Sequence, residues 1–316
     1  MILRTREAVL ERLKSGTLED VVVRDVDLSG LDFAGAKLSG AGLSGVKLAG
    51  ARLTNAVLAN ADLGQADLSG ADLTGADLTD ASLDGADLTN AKLAGADLSG
   101  TDLTRCKLAH ADFSGARFTS ANLSKIDLTK LAVGRASFVR CNLKGAILSH
   151  LDLAGADLTL ADLAGAKLDR ADLSGATLDR AQFQGADLVR AKLDGVTGRS
   201  TKFQKAKLDG AIFREAKLRT PDFTGASMAG CDFSKSSAPQ AQFVKADASG
   251  AIFVGAMLRF ANFSNANVKA ADFSGADLFT AKLHAIADTG AVWKGANLEK
   301  AQRTDEALLK AEAWTQ

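Results

Sequence analysis

Residues 66–100 read ADLSGADLTGADLTDASLDGADLTNAKLAGADLSG, one five-residue word written seven times. The word runs from Val21 to Lys300 without insertion or deletion. Leu28, Leu63, Leu158, Phe253 and Leu298 therefore share one register across 56 pentapeptides. We term this residue the centre. On an α-helix five residues advance by about 500°, so successive centres would spiral around the surface. In a flat strand an odd spacing sends successive centres to opposite faces. A chain that turns a corner every five residues can bury them all.

Within each word the alanine and the centre are two apart and point inward, while the Asp, Asn or Lys between them points outward. The last two residues make the corner, where glycine tolerates positive φ. Each coil is expected to hydrogen-bond to the next, giving an all-β solenoid in which neighbours supply the core. The number of sides follows from a twenty-residue modulation. The corner after Leu53, Leu73 and Leu93 is glycine in ten of 14 coils, and the next corner in two of 14. The latter column holds Asn60, Asp80, Arg140, Leu160, Arg180, Gln240 and Phe260 instead. Phenylalanines at 203, 213, 223, 233, 243, 253, 263 and 273 stack on two opposite sides of a four-sided coil. Gly198, Met228, Ala238, Ala248 and Val268 supply smaller centres on the other two, which keeps the interior volume even.

The A-(D/N)-L-x-x words resemble those of the pentapeptide-repeat family over nearly nine-tenths of the chain. That resemblance implies a right-handed quadrilateral parallel β-helix; the hand comes from the family alone. Residues 1–20 are expected to form a capping helix and lead-in, 21–300 a single domain of about 14 coils, and 301–316 a C-terminal helix. At roughly 4.8 Å per coil the solenoid would be about 65–70 Å long. The N-terminal helix reads from Thr5 as N-cap, with Val9, Leu10 and Leu13 as its apolar stripe and Gly16 as its stop. The C-terminal helix, with Leu308, Leu309 and Trp314, is expected to cover the last coil. The resemblance offers a homodimer through that helix as the alternative.

Lys plus Arg equals Asp plus Glu, 38 each, so no global charge argues for nucleic acid or membrane. No apolar run at the N-terminus is long enough for a signal peptide and no transmembrane segment follows, so a cytoplasmic location is expected. Cys106, Cys141 and Cys231 each stand where alanine usually does, as inert inward thiols without metal or redox spacing. Of three histidines, His110 and His150 lie two coils apart, about 10 Å, too far to share a zinc. His284 has no clustered Cys or carboxylate. No phosphate loop or nucleophile elbow occurs. Asp67 and Asp87 stack one coil apart, yet the word supplies an outward Asp wherever it repeats. Neither an enzyme nor a cofactor or metal is expected. Asp288 falls at a centre, where an unpaired buried carboxylate is costly. The chain is expected to leave its regular path there or to give Asp288 a hydrogen-bonding partner. The poorest words, 196–200, 236–240 and 286–290, are expected to be the weakest coils.

The outward residues say more. From Ala61 to Leu103 there are nine aspartates and one lysine, a net of −8. From Arg105 to Lys144 eight basic residues meet two acids, a net of +6. Farther on, Arg199, Arg219 and Arg259 are spaced to stack, with Met257, Phe260 and Phe279 nearby and outward. Arg, Met and aromatics are enriched at protein interfaces. The first reading is a non-catalytic scaffold presenting this side to a protein of a secretion or other multiprotein complex in a bacterium. The second, implied by the resemblance, is a DNA mimic that modulates a type II topoisomerase such as gyrase. It would use Asp62, Asp67, Asp72, Asp77, Asp87, Asp97 and Asp102. A mimic wants a long acidic rod, whereas here the acid covers about two coils and meets a basic belt.

Overall fold

The structure, a computed structural model, describes residues 1–304 together with Glu306 and Leu309. The chain divides into two compact units, Met1–Leu143 and Lys144–Gln316. Each is a right-handed quadrilateral parallel β-helix, with parallel bridges joining residues twenty apart, as in Asp67↔Asp87 and Asp232↔Ile252.

One word shows how the chain satisfies its own backbone. Asp87 N donates to Ala66 O (2.9 Å) in the coil before, and Leu68 N to Asp87 O (2.8 Å) in the coil after. Gly70 N donates to Thr89 O (2.8 Å), while Ala66 N closes its corner on Leu63 O (3.0 Å). A small side chain fits inside that corner, and Ala66, Ala71, Ala76 and Ala86 have no exposed surface. The corner's last residue is left-handed at nearly every corner, whatever its type: Gly70 has φ 64°, Arg180 55° and Phe260 59°, with Arg105 and Lys130 as exceptions. L-residues adopt that conformation at a cost of about 1–2 kcal/mol, offset here by the ladder bonds on either side. The outward aspartate supplies a further contact. Its Oδ1 accepts the N–H two residues on, as from Ser69 to Asp67 (3.0 Å) and from Thr74 to Asp72 (3.1 Å).

In the first unit, β1 (Ile2–Leu3) pairs in parallel with β2 (Val22–Val23), and α1 (Arg6–Leu13) lies between them in sequence. Thr5 caps α1 by accepting from Ala8 N at 3.2 Å. Gly16, at φ 74°, ends the segment. Of the expected stripe, Val9 is buried and Leu13 half-buried, but Leu10 faces solvent. Val9 and Leu13 are one turn apart on one face, and Leu10 is rotated about 100° from it.

The second unit carries β3 (Thr197–Arg199) and β4 (Lys217–Arg219), paired in parallel. Its core holds two columns of rings. Phe203, Phe223, Phe243 and Phe263 stack at 4.5–5.0 Å. Phe213, Phe233, Phe253, Phe273 and Trp293 stack at 4.3–5.4 Å on the opposite side. The columns meet edge to face: Phe213 to Phe223 at 5.9 Å and 89°, Phe253 to Phe263 at 5.8 Å and 90°. The expected small centres Met228, Ala238, Ala248 and Val268 are buried on the other two sides.

The chain keeps its regular path at 286–290, and Asp288 meets a cation in place of the expected hydrogen-bonding partner. Ala291 N donates to Asp288 O at 2.9 Å as any corner does. Asp288 is half exposed and faces Arg303 at 4.0 Å, so its charge is neither buried nor alone. The expected C-terminal helix lies, apart from Glu306 and Leu309, outside the described residues.

Cys141 and Cys231 are buried and Cys106 partly so. Their Sγ atoms donate to Ala121 O, Leu208 O and Leu83 O at 3.3, 2.9 and 3.1 Å. Burial, reinforced by Asp102 and Asp84, pushes the Cys106 thiol up to about 12. Burial raises the other two as well. Because the thiolate is the reactive form, native-state labelling by a thiol reagent at pH 8 should run on the order of a thousandfold slower than in denaturant. Stopped-flow absorbance would read this, and rapid labelling of all three would contradict their inward placement.

Candidate protein-binding face

The acidic stretch is the first place to look for chemistry, and its aspartates are committed to structure. Asp62, Asp67, Asp72, Asp77, Asp87, Asp97 and Asp102 each accept the backbone N–H two residues on, at 2.9–3.1 Å. Three acids of the stretch also meet cations from the next coil: Asp84 with Arg105 (3.1 Å), Asp87 with Lys107 (3.1 Å) and Asp97 with Arg117 (2.6 Å). Asp102 accepts from Asn122 Nδ2 at 2.9 Å. Hydrogen bonds from Thr89 hold the Asp87 carboxyl below its usual range, against the opposing effect of burial and with help from Lys107. A general acid needs the reverse. Among the described residues no group of three or more His, Cys, Asp or Glu could hold a metal ion.

The second unit offers a different surface on the side built from words 196–200, 216–220, 236–240, 256–260 and 276–280. The ladder fixes its order. Thr197 pairs with Lys217, Lys217 with Ser237, Ser237 with Met257 and Met257 with Asp277. Arg199 lies directly beside Arg219. The six residues singled out by sequence fall into two neighbouring groups along this side.

In the first group, Arg199 faces Asp179 at 3.5 Å while keeping most of its side chain exposed. Arg219 and Lys217 make no ion pair among the described residues. With Met257, which is 51% exposed, they border a groove of about 440 Å³ that is chiefly apolar in lining. The outward places that form the groove floor hold short side chains, Thr197 in β3 and Ser237 one coil beyond Lys217. At the inward centre Gly198 a Cβ would meet Thr201 Oγ1 at 2.6 Å and Leu178 O at 3.1 Å.

In the second group, Arg259 pairs with Asp277 at 3.2 Å and lies over the Phe279 ring at 4.5 Å. Phe260 meets Phe279 edge-on at 6.0 Å and 88°, and Lys300 lies over the same ring at 5.4 Å. Phe260 is held outward by its left-handed corner and is 47% exposed.

Sequence reading missed Lys217, Asp179, Ile252 and Val254. Ile252 and Val254 are exposed in the same coil as Met257 and Phe260. All four occupy outward places of the word, and sorting every outward residue by coil, rather than the arginines alone, would have found them. Among the described residues no helix is long and apolar enough to cross a membrane.

Comparison with known proteins gives one consistent result. The sequence model described as pentapeptide repeats matches eight times, at residues 17–55, 36–75, 56–95, 96–130, 136–175, 156–195, 199–234 and 241–278. Among solved structures, QnrB1 after trypsin treatment, a plasmid-mediated fluoroquinolone resistance protein, is 20% identical over 70% of this chain and 96% of its own, with a TM-score of 0.38. HetL, involved in heterocyst differentiation regulation in the cyanobacterium Nostoc, is 24% identical over 94% of this chain and 96% of its own, with a TM-score of 0.19. The repeated sequence matches, not these distant likenesses, carry the assignment. No curated protein matches the sequence.

Proposed function

The chain belongs to the pentapeptide-repeat family, and we propose that it is a non-catalytic scaffold that binds a protein through the side bearing Arg199, Arg219, Met257, Arg259, Phe260 and Phe279. The observation that carries this reading is the exposure of Met257 and Phe260, beside Ile252 and Val254, on a coil whose core is fully buried. A rigid ladder holds these side chains out at no cost in folding entropy when a partner arrives. Arginine, methionine and aromatic anchors are the side chains around which interfaces concentrate their energy. The three cysteines are free thiols, a state that a reducing cytoplasm preserves, and we assign the protein to that compartment.

The second reading, DNA mimicry directed at a type II topoisomerase, has less support. Two acids of its band, Asp87 and Asp97, are already matched by Lys107 and Arg117, and every aspartate it needs is tied to a corner.

Two folded variants test the choice. One sets the six face residues to alanine; the other sets the seven band aspartates to asparagine. Affinity capture from bacterial lysate, read by mass spectrometry, should return a partner that the alanine variant loses by roughly thirtyfold in affinity and the asparagine variant retains. The reverse pattern, with gyrase or topoisomerase IV as the main catch, overturns the proposal.

A further inference from the structure

We propose that the groove bordered by Arg199, Lys217, Arg219 and Met257 receives an extended acidic peptide segment carrying an apolar side chain. This rests on reading the face as protein-binding and goes on to specify what the partner presents. Three observations converge on that chemistry.

The first is charge. Lys217 and Arg219, the first and last residues of β4, project outward without an ion pair among the described residues, and Arg199 lies beside Arg219 in register. The one carboxylate at the groove, Asp179, is occupied by Arg199. The groove thus has cationic capacity that its own chain does not fill, and a partner supplying carboxylates would meet it without displacing an internal pair.

The second is shape and lining. About 440 Å³ accommodates a few side chains and not a helix, whose diameter with side chains is about 10–12 Å. The lining is chiefly apolar, with Met257 as an exposed, adaptable wall, so carboxylates alone would leave it wet. Thr197 and Ser237, short outward residues of the lining, keep the floor low enough for an apolar side chain to enter.

The third is the state of the backbone. Lys217 N donates to Val196 O (2.8 Å), Leu218 N to Ser237 O (2.8 Å) and Met257 N to Ser236 O (2.8 Å). The ladder leaves no free strand edge along this side, so a peptide here is recognised through side chains and not by adding a strand. Nucleic acid fits less well. It brings no aliphatic group for the floor, and bases need an open aromatic face. Among the described residues no aromatic ring lines the groove, and the nearby Phe279 ring is already covered by Arg259 and Lys300.

The probe is a fluorescein-labelled octapeptide, Ac-Glu-Asp-Leu-Glu-Asp-Phe-Glu-Asp-NH2, titrated by anisotropy against the full chain. Binding should saturate. It should weaken at least tenfold in Lys217→Ala/Arg219→Ala, and severalfold in Met257→Ser. It should also weaken at least tenfold for a peptide in which Gln and Asn replace Glu and Asp, and severalfold where Gly replaces Leu and Phe. Circular dichroism and melting of each variant should match the parent, because all three residues are outward. Absence of saturable binding overturns the inference, as does equal affinity for the neutral peptide or indifference to the double substitution. Tighter binding of a single-stranded oligothymidylate at the same residues would assign the groove to nucleic acid instead. If the partner is captured through this face but the octapeptide neither binds nor competes, the acidic-segment inference fails and the scaffold reading stands. If no partner depends on the face, the scaffold reading itself fails.

Discussion

Replacing Phe233 by alanine should lower the stability of the second unit by about 4 kcal/mol. Phe233 is fully buried and touches four other rings. It stacks on Phe213 at 4.5 Å and Phe253 at 5.4 Å, and stands edge-on to Phe223 at 5.6 Å and Phe243 at 6.1 Å. Truncation removes the transfer energy of a ring and opens a cavity that the ladder, hydrogen-bonded on both sides, cannot close by collapse. The stacked and edge-to-face contacts add roughly 0.5–1.5 kcal/mol each in isolation, not additively here. Phe233→Leu should cost much less, because leucine is the ordinary centre of the word and fills most of the same space. Denaturant titration followed by circular dichroism measures both, and hydrogen exchange should place the alanine variant's loss of protection in the coils around 213–253. A cost below about 1.5 kcal/mol would mean that the two columns are not tightly packed.

The second large effect is expected in acid. Aspartates throughout the chain have carboxyls held below the usual range. In Asp27, Asp72, Asp87, Asp127 and Asp272 the leading cause is the Ser or Thr two residues on, donating to the carboxylate. In Asp97, Asp172 and Asp232 burial pushes upward but is overcome by Ser99, Ser174 and Ser234 together with Arg117, Lys192 and Arg214. A folded-state value below the unfolded one gives stability that is present above the unfolded value, about 3.9, and lost as pH falls through the folded one. The unfolded chain then binds more protons than the folded chain. Each extra proton makes stability fall by about 1.4 kcal/mol per pH unit. With many aspartates shifted the same way, the denaturation midpoint should be nearly flat from pH 7 to 5 and drop steeply from about pH 4 to 2. Asp194, which burial raises, opposes this as a single group. Asn at Asp97 and Asp232 should flatten the slope, since the amide still accepts the corner N–H but no longer titrates. A midpoint that does not move between pH 5 and 2.5 would sink the idea that these bonds hold the corners.

The repeat made most of this architecture readable before any coordinate. A five-residue period is incompatible with helix or flat strand, and the corner columns and phenylalanine spacing required four sides. Less legible was the work done by the outward aspartate. Read as surface charge it looked like an acidic band, whereas Asp67 and its equivalents are acceptors that fasten the next corner. The signal was in the text all along, as Asp two residues ahead of a corner is an Asx-turn pattern. On the proposed binding face the arginines and phenylalanines were legible because outward register fixes direction. Lys217 was passed over because it sits at the other outward place of the same word. The groove itself was hidden for a different reason. It depends on short residues at the outward places Thr197 and Ser237, and the outward place varies from word to word without a periodic signal.

The ring column that ends on Trp293 has an optical consequence. The sequence has no tyrosine and two tryptophans, Trp293 and Trp314. Trp293 lies parallel to Phe273 at 4.3 Å and 3°, with the Arg303 guanidinium 5.9 Å from its ring. In a Trp314→Phe chain all indole emission comes from this one stacked residue. Its wavelength then reports solvent reaching the last ring of the column, while far-ultraviolet dichroism reports the coils as a whole. A red shift at lower denaturant than the dichroic change would time the opening of the helix from that end, without any label attached.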